Sequence, residues 1–196
     1  MPVKAGSTLD PEATRARVLD SAARLFYERG VHVVGVGEIA QHAGASKLTI
    51  YRYFGSKDGL VEAVMERRSA RIHDWLARRL ADAPPGRERV LALFDTLAHW
   101  YAERDYRGCA VVNTSVETRH GEGPVRELTR RHLTRYRELL SELLADCGVA
   151  RPVPLARQLL LLIEGSTVVS AIEGDPGAGR DARAAAEALL DAATSR

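Results

Sequence analysis

Residues 39–60 read IAQHAGASKLTIYRYFGSKDGL: two short helical segments broken at a glycine, then the start of a third. Ala40 and Gly44 stand four apart, and a missing side chain at the second position lets one helix end and the chain turn sharply into the next, the geometry of a helix-turn-helix. Ser46 and Ser56 each precede a lysine and sit where a hydroxyl caps the open amides of a helix start. With Ile39, Ala43, Ile50 and Phe54 turned inward as a small core, the helical period leaves Lys47, Leu48, Thr49, Tyr51, Arg52 and Tyr53 on the outward faces. Lysine, arginine and the hydroxyls of threonine and tyrosine are phosphate donors, and a helix start adds a positive dipole end. Leu48 and Thr49, near that start, are placed to reach base edges in a major groove, while Lys57 in the next helix reaches a phosphate beside it. The expected partner of this surface is double-stranded DNA.

Working outward, apolar residues recur at spacings of three and four along almost the whole chain, and no stretch sustains strand alternation, so the expected class is all-α. A first helix begins at Asp10-Pro11, a cap followed by proline at the first helical position, and runs to Gly30. VHVVGV at 31–36 reads as a loop that drops valines into the core. A second helix covers about 37–43, and a long connecting helix covers about 57–81, ending before Ala83-Pro84-Pro85-Gly86. Further helices are expected at about 87–104, 109–119, 124–147, 155–173 and 180–194. Residues 1–60 thus form a helix-turn-helix domain, and residues 61–196 a helical body.

The chain has 196 residues, 45% hydrophobic and 28% charged, enough to bury a core. Its net charge of +2 is too small to identify a polyanion partner, but residues 1–80 carry 13 Lys/Arg against 9 Asp/Glu. The basic excess lies in the same part of the chain as the outward face. The two cysteines, Cys109 and Cys147, make no disulfide framework. The N-terminus shows no apolar signal region and no apolar run approaches the roughly 20 residues of a membrane span, so a cytoplasmic protein with no membrane partner is expected. Six scattered histidines, with no HExxH, CxxC, nucleophile elbow or phosphate loop, argue against an enzyme and against any metal or cofactor.

From Ala13 to Leu60, through TRARVLDSAARLFYERG and GEIAQHAGASKLTIYRYFGSKDGL and on to Val64, the chain resembles the TetR (tetracycline-repressor) family of transcriptional regulators. The resemblance implies an N-terminal three-helix DNA-binding domain, a helical ligand-binding and dimerisation body, and repression released by a small molecule. By position, Ser46, Lys47, Leu48, Thr49, Tyr51, Arg52, Tyr53 and Lys57 look like operator contacts. Many family members have threonines just ahead of the second helix that bond a phosphate. Here Val34, Gly35 and Val36 stand there, and Gly35 offers backbone amides in place of a hydroxyl.

A symmetric operator needs two reading helices about one turn of DNA apart, hence a homodimer, expected through the last two helices with their apolar 155–172 run and small Ala185, Ala188 and Ala192. The effector is expected to be partly apolar. Candidate pocket residues are the aromatics Trp75, Phe94, Trp100, Tyr101 and Tyr136, the stripe Cys109, Asn113 and Glu117 at four-residue spacing, and Glu164 inside the most apolar helix. Two other readings remain open: a thiol sensor acting through Cys109 at a helix start, and a DNA-binding protein without effector.

Overall fold

The computed structural model describes residues 10–118 and 123–194, and among them nine helices and no strand. Helices α1 (Pro11–Arg29), α2 (Val36–Ala43) and α3 (Lys47–Phe54) form a head. The long α4 (Lys57–Ala81) leads from it into a body of α5 (Arg87–Tyr101), α6 (Ala110–Glu117), α7 (Pro124–Asp146), α8 (Pro152–Glu173) and α9 (Gly177–Thr194).

The head's boundaries follow from its caps. The Asp10 carboxylate accepts the Glu12 amide at 3.0 Å ahead of Pro11, and α1 stops at Gly30. Between α2 and α3, Gly44 adopts the left-handed conformation (φ 60, ψ 38), and the Ala45 amide returns to the Ala40 carbonyl at 3.0 Å. That reversal is cheap only without a Cβ, which is why a glycine stands at the turn. Ile39 and Ile50, one from each side of the turn, are fully buried. Burying side chains of that size contributes about 1.5–3 kcal/mol each and holds the two short helices at their angle.

Three body helices differ from the expected bounds by three residues at one end. Pro152 and Pro154 do not precede α8; they lie in its first turn, where a missing amide costs no helical bond. Helix α9 begins at Gly177 because the Asp175 carboxylate accepts that amide at 2.8 Å. Helix α5 ends at Tyr101, where the Ala102 and Glu103 amides fold back to His99 and Trp100 in a tighter turn. The 119 end of the expected sixth helix lies outside the described residues.

Two apolar cores result. One fills the head and continues past Val61, Val64 and Met65 of α4 into Cys109, Ala110 and Val111 of the α6 start and Val125 and Leu128 of α7. The other fills the body between α4, α5, α7, α8 and α9, around Leu76, Phe94, Leu140, Leu159 and Leu190. Among the described residues, α8 is the one helix long and apolar enough to cross a membrane by length and composition; its inner face packs on α7 and α9.

Candidate nucleic-acid interface and body cleft

The cap of α3 is made as its sequence dictates: the Ser46 hydroxyl accepts the Thr49 amide at 3.0 Å and shares a hydrogen bond with the Thr49 hydroxyl at 2.8 Å. Around that start Lys47, Leu48, Tyr51 and Arg52 are exposed, Leu48 to 70%. Lys47 lies along Gly37, where an added Cβ would stand 2.8 Å from the lysine Cε. Tyr53 is half-buried, donates its hydroxyl to the Pro11 carbonyl at 3.0 Å and meets Phe54 edge-on, bracing the start of α1. Ser56 caps α4 through the Gly59 amide at 3.0 Å, with Lys57 half-buried in the first turn. Gly35, the exposed N-cap of α2, makes no side-chain cap, as a glycine cannot.

The proposed pocket residues separate into different places. Trp75 and Trp100 meet edge-on, ring centroids 6.2 Å apart, in a cleft of about 400 Å³ between α4 and the end of α5. Phe94, Tyr101 and Tyr136 are buried in the body core. The Tyr101 hydroxyl is held by Thr167 and Ser166 of α8 at 2.9 and 3.1 Å. Asn113 is exposed, and its amide donates to the Arg107 carbonyl at 3.0 Å.

Cys109 is buried against His132, its sulfur 3.6 Å from Nε2. On the other side of that ring, Nδ1 lies 2.8 Å from Ser69 Oγ and 3.1 Å from His73 Nε2. Burial, then the neighbouring His73 and Arg135 charges, pushes His132 down to about 3; burial and Arg135 push His73 down to about 4. The pair is neutral at physiological pH and forms a satisfied polar cluster. Burial pushes the Cys109 thiol up to about 11, so it carries little thiolate at neutral pH, which weighs against oxidant sensing at this sulfur.

Glu117 ties body to head. Its carboxylate accepts the Val31 and His32 amides at 3.0 and 2.7 Å, and the His32 ring bonds the Glu117 carbonyl at 3.0 Å. At the other end of α6, the Tyr27 hydroxyl accepts the Arg107 amide at 2.7 Å and donates to the Gly108 carbonyl at 3.3 Å. Both ends of α6 are therefore fastened to the C-terminal end of α1 and the turn after it. The clasp joins residues 85 and 86 positions apart, and nothing in one sequence pairs them.

Glu164 of α8 is half-buried and makes no hydrogen bond or ion pair with the described residues, and desolvation alone pushes its carboxyl up to about 7 from an ordinary 4.5. Because the folded value is the higher one, the folded chain holds the extra proton between pH 4.5 and 7. Stability therefore falls as pH rises through that window and levels off above it. The full difference corresponds to about 3 kcal/mol, which solvent screening at this half-buried side chain reduces to about 2 kcal/mol. Glu164→Gln is expected to flatten this dependence and raise the melting temperature at pH above the window by about 5 °C. Thermal melts across the window check it, and an unchanged slope in the variant would contradict it.

Three arginines of the cleft were not among the candidates. Arg68, Arg71 and Arg78 line the same space as Trp75. Their signal was present: 68, 71, 75 and 78 follow at spacings of three, four and three, one face of a helix. Arginines on a long helix otherwise read as a solvated surface.

Comparison with known proteins agrees with this arrangement. Residues 18–64 match bacterial regulatory proteins of the tetR family, and residues 86–186 match the tetracyclin repressor-like C-terminal domain. A helix-turn-helix transcriptional regulator of Mycobacterium tuberculosis is 38% identical over 85 residues, which cover 43% of this chain and 42% of that protein. The chain thus spans less than half the length of that relative. The crystal structure of a TetR-family regulator from Streptomyces coelicolor superposes with a TM-score of 0.87 at 26% identity, covering 94% of this chain and 97% of that one. A transcriptional regulator of the same type from Streptomyces avermitilis gives 0.81 at 30% identity, covering 92% and 97%.

Proposed function

This chain belongs to the tetR family of bacterial regulatory proteins, and from that premise we propose that it is a ligand-responsive transcriptional regulator: a homodimeric repressor that grips a palindromic operator and releases it when a small molecule enters the body. The observation that carries this reading is the outward face of α3, where Lys47, Leu48, Tyr51 and Arg52 are exposed around a capped helix start, with none of the described residues packed over them. Such a face combines backbone anchors with side chains fit for base edges.

Dimerisation is supported by α8 and α9. Leu161, Gly165, Val168 and Ile172 follow at spacings of four, three and four down the solvent side of α8, with Leu161 73% and Ile172 79% exposed. Beside them α9 shows the small Ala184, Ala188 and Ala192. An apolar stripe next to a face that permits close approach suits a second copy of the same two helices. Release then follows as a population shift. An effector that favours one disposition of α4 and α6 moves the heads through the Glu117 and Tyr27 ties, away from adjacent-groove spacing.

Selection of bound duplexes from a random pool, with and without a metabolite mixture, tests the proposal. A palindromic site lost in the presence of the mixture is the expected result, and no enriched sequence would contradict it. On the selected site, Lys57→Ala is expected to weaken all sequences alike and reduce the salt slope by about one. Leu48→Ala or Thr49→Ala is expected to relax preference at particular base pairs by about 1–3 kcal/mol. Gel-shift titrations at several salt concentrations read both, and an unaltered Lys57→Ala slope would remove that phosphate contact.

A further inference from the structure

The cleft beside Trp75 and Trp100 is lined by more unpaired charge than a structural crevice requires. Arg68, Arg71 and Arg78 project from one face of α4, and neither Asp74 nor Glu103, which also line the space, forms an ion pair with any of them. The lining thus carries three positive charges and two negative ones, a surplus that a monoanion matches. The Arg68 Nε is buried without a hydrogen-bond partner among the described residues, a state that few buried donors occupy. Its guanidinium lies over the Tyr27 ring, 5.3 Å from the centroid. The two tryptophans supply apolar ring faces and edges against which a flat ring packs well. The volume of about 400 Å³ is that of a small-molecule site.

We propose that this cleft binds a small aromatic carboxylate, its ring against Trp75 and Trp100 and its carboxylate taken by the Arg68 guanidinium, with Arg71 at the open side. The inference rests on the body being the effector-binding part and names the class of effector. A guanidinium fork matches a carboxylate in a way an ammonium does not, and Arg68 lines the cleft with no carboxylate of the described residues paired to it. The same side chain faces Tyr27, whose hydroxyl holds the chain ahead of α6. Ligand charge therefore acts one residue away from the fastening between body and head.

Trp75 and Trp100 are the chain's two tryptophans, so selectively excited tryptophan emission reports on this cleft alone. Phenylacetate and hydrocinnamate, each paired with its neutral amide, are titrated into the full-length protein. The expected result is a saturable emission change with both acids, and amides that bind at least about tenfold more weakly. Arg68→Gln is expected to weaken acid binding by about tenfold and leave the amides as they were. Should Arg68→Gln fail to fold, the exposed Arg71→Ala is expected to weaken the acids several-fold. Equal binding of acids and amides, no saturable response, or wild-type acid affinity in the folded variants would overturn the proposal. If emission is silent but another compound from a metabolite library raises the melting temperature and releases the selected duplex, the aromatic carboxylate is wrong and the effector reading stands. If no compound does either, both fall.

Discussion

Ile172→Glu is expected to convert the proposed dimer into monomers and to lower operator affinity by more than about a hundredfold. Ile172 is 79% exposed in the single chain, at the end of the stripe that begins at Leu161. In a two-fold interface the substitution enters twice, and each unpaired carboxylate buried there costs several kcal/mol. A monomer presents one α3 to one half-site and loses the second as an effectively intramolecular contact, which accounts for the affinity loss. The isolated fold should hardly notice, since the side chain touches little of its own chain. Light-scattering mass and gel shift on the same sample measure both effects. Val153→Glu is the control. That residue is also exposed, at the start of α8, but it borders a groove with Thr134 and Arg137 of α7, off the stripe. A variant Ile172→Glu that stays dimeric would remove the α8 face from the assembly.

Gly59→Ala should be the most damaging single methyl in the head. A Cβ built on Gly59 stands 2.1 Å from the Phe54 carbonyl oxygen, and that oxygen already accepts the Ser56 amide at 2.8 Å. No flexible side-chain tip is available to move. The joint between α3 and α4 must open, at a cost of about 3 kcal/mol. For a chain of this size that lowers the melting temperature by about 6–12 °C. Because the joint also sets the angle of α3, operator binding should fall further than stability alone accounts for. Gly35→Ala makes the contrast: its Cβ meets nothing within 4 Å and its φ of −90 suits any residue, so melting should be unchanged. Equal melting temperatures for Gly59→Ala and wild type, read by circular dichroism, would show that the joint has slack.

What could be read in the sequence was whatever local chemistry enforces. Asp10, Ser46 and Ser56 cap helices wherever they occur, and Gly30, Gly44 and Gly55 end them, so the head's boundaries were legible to within a residue or so. The prolines of α8 misled because a ring that stops a helix from inside also starts one, and only the backbone that follows tells which. In the body, an amphipathic pattern says which side chains leave water but not which of them share a space. Trp75 and Trp100 come together, whereas Asn113 and Glu117 face the head, beside Tyr27 and Met65. The histidine cluster had no linear signal, since Ser69, His73 and His132 meet only when α4 packs on α7.

The apolar core beneath the reading helices does not end with them: Val111 and Leu128 belong to it as fully as Val18 and Ile39. Grafting residues 10–60 from one relative onto the body of another would therefore cut through a seam and set foreign side chains against α6 and α7. Re-targeting the protein to a new DNA sequence is better done by exchanging the outward side chains of α3, which leave that seam closed.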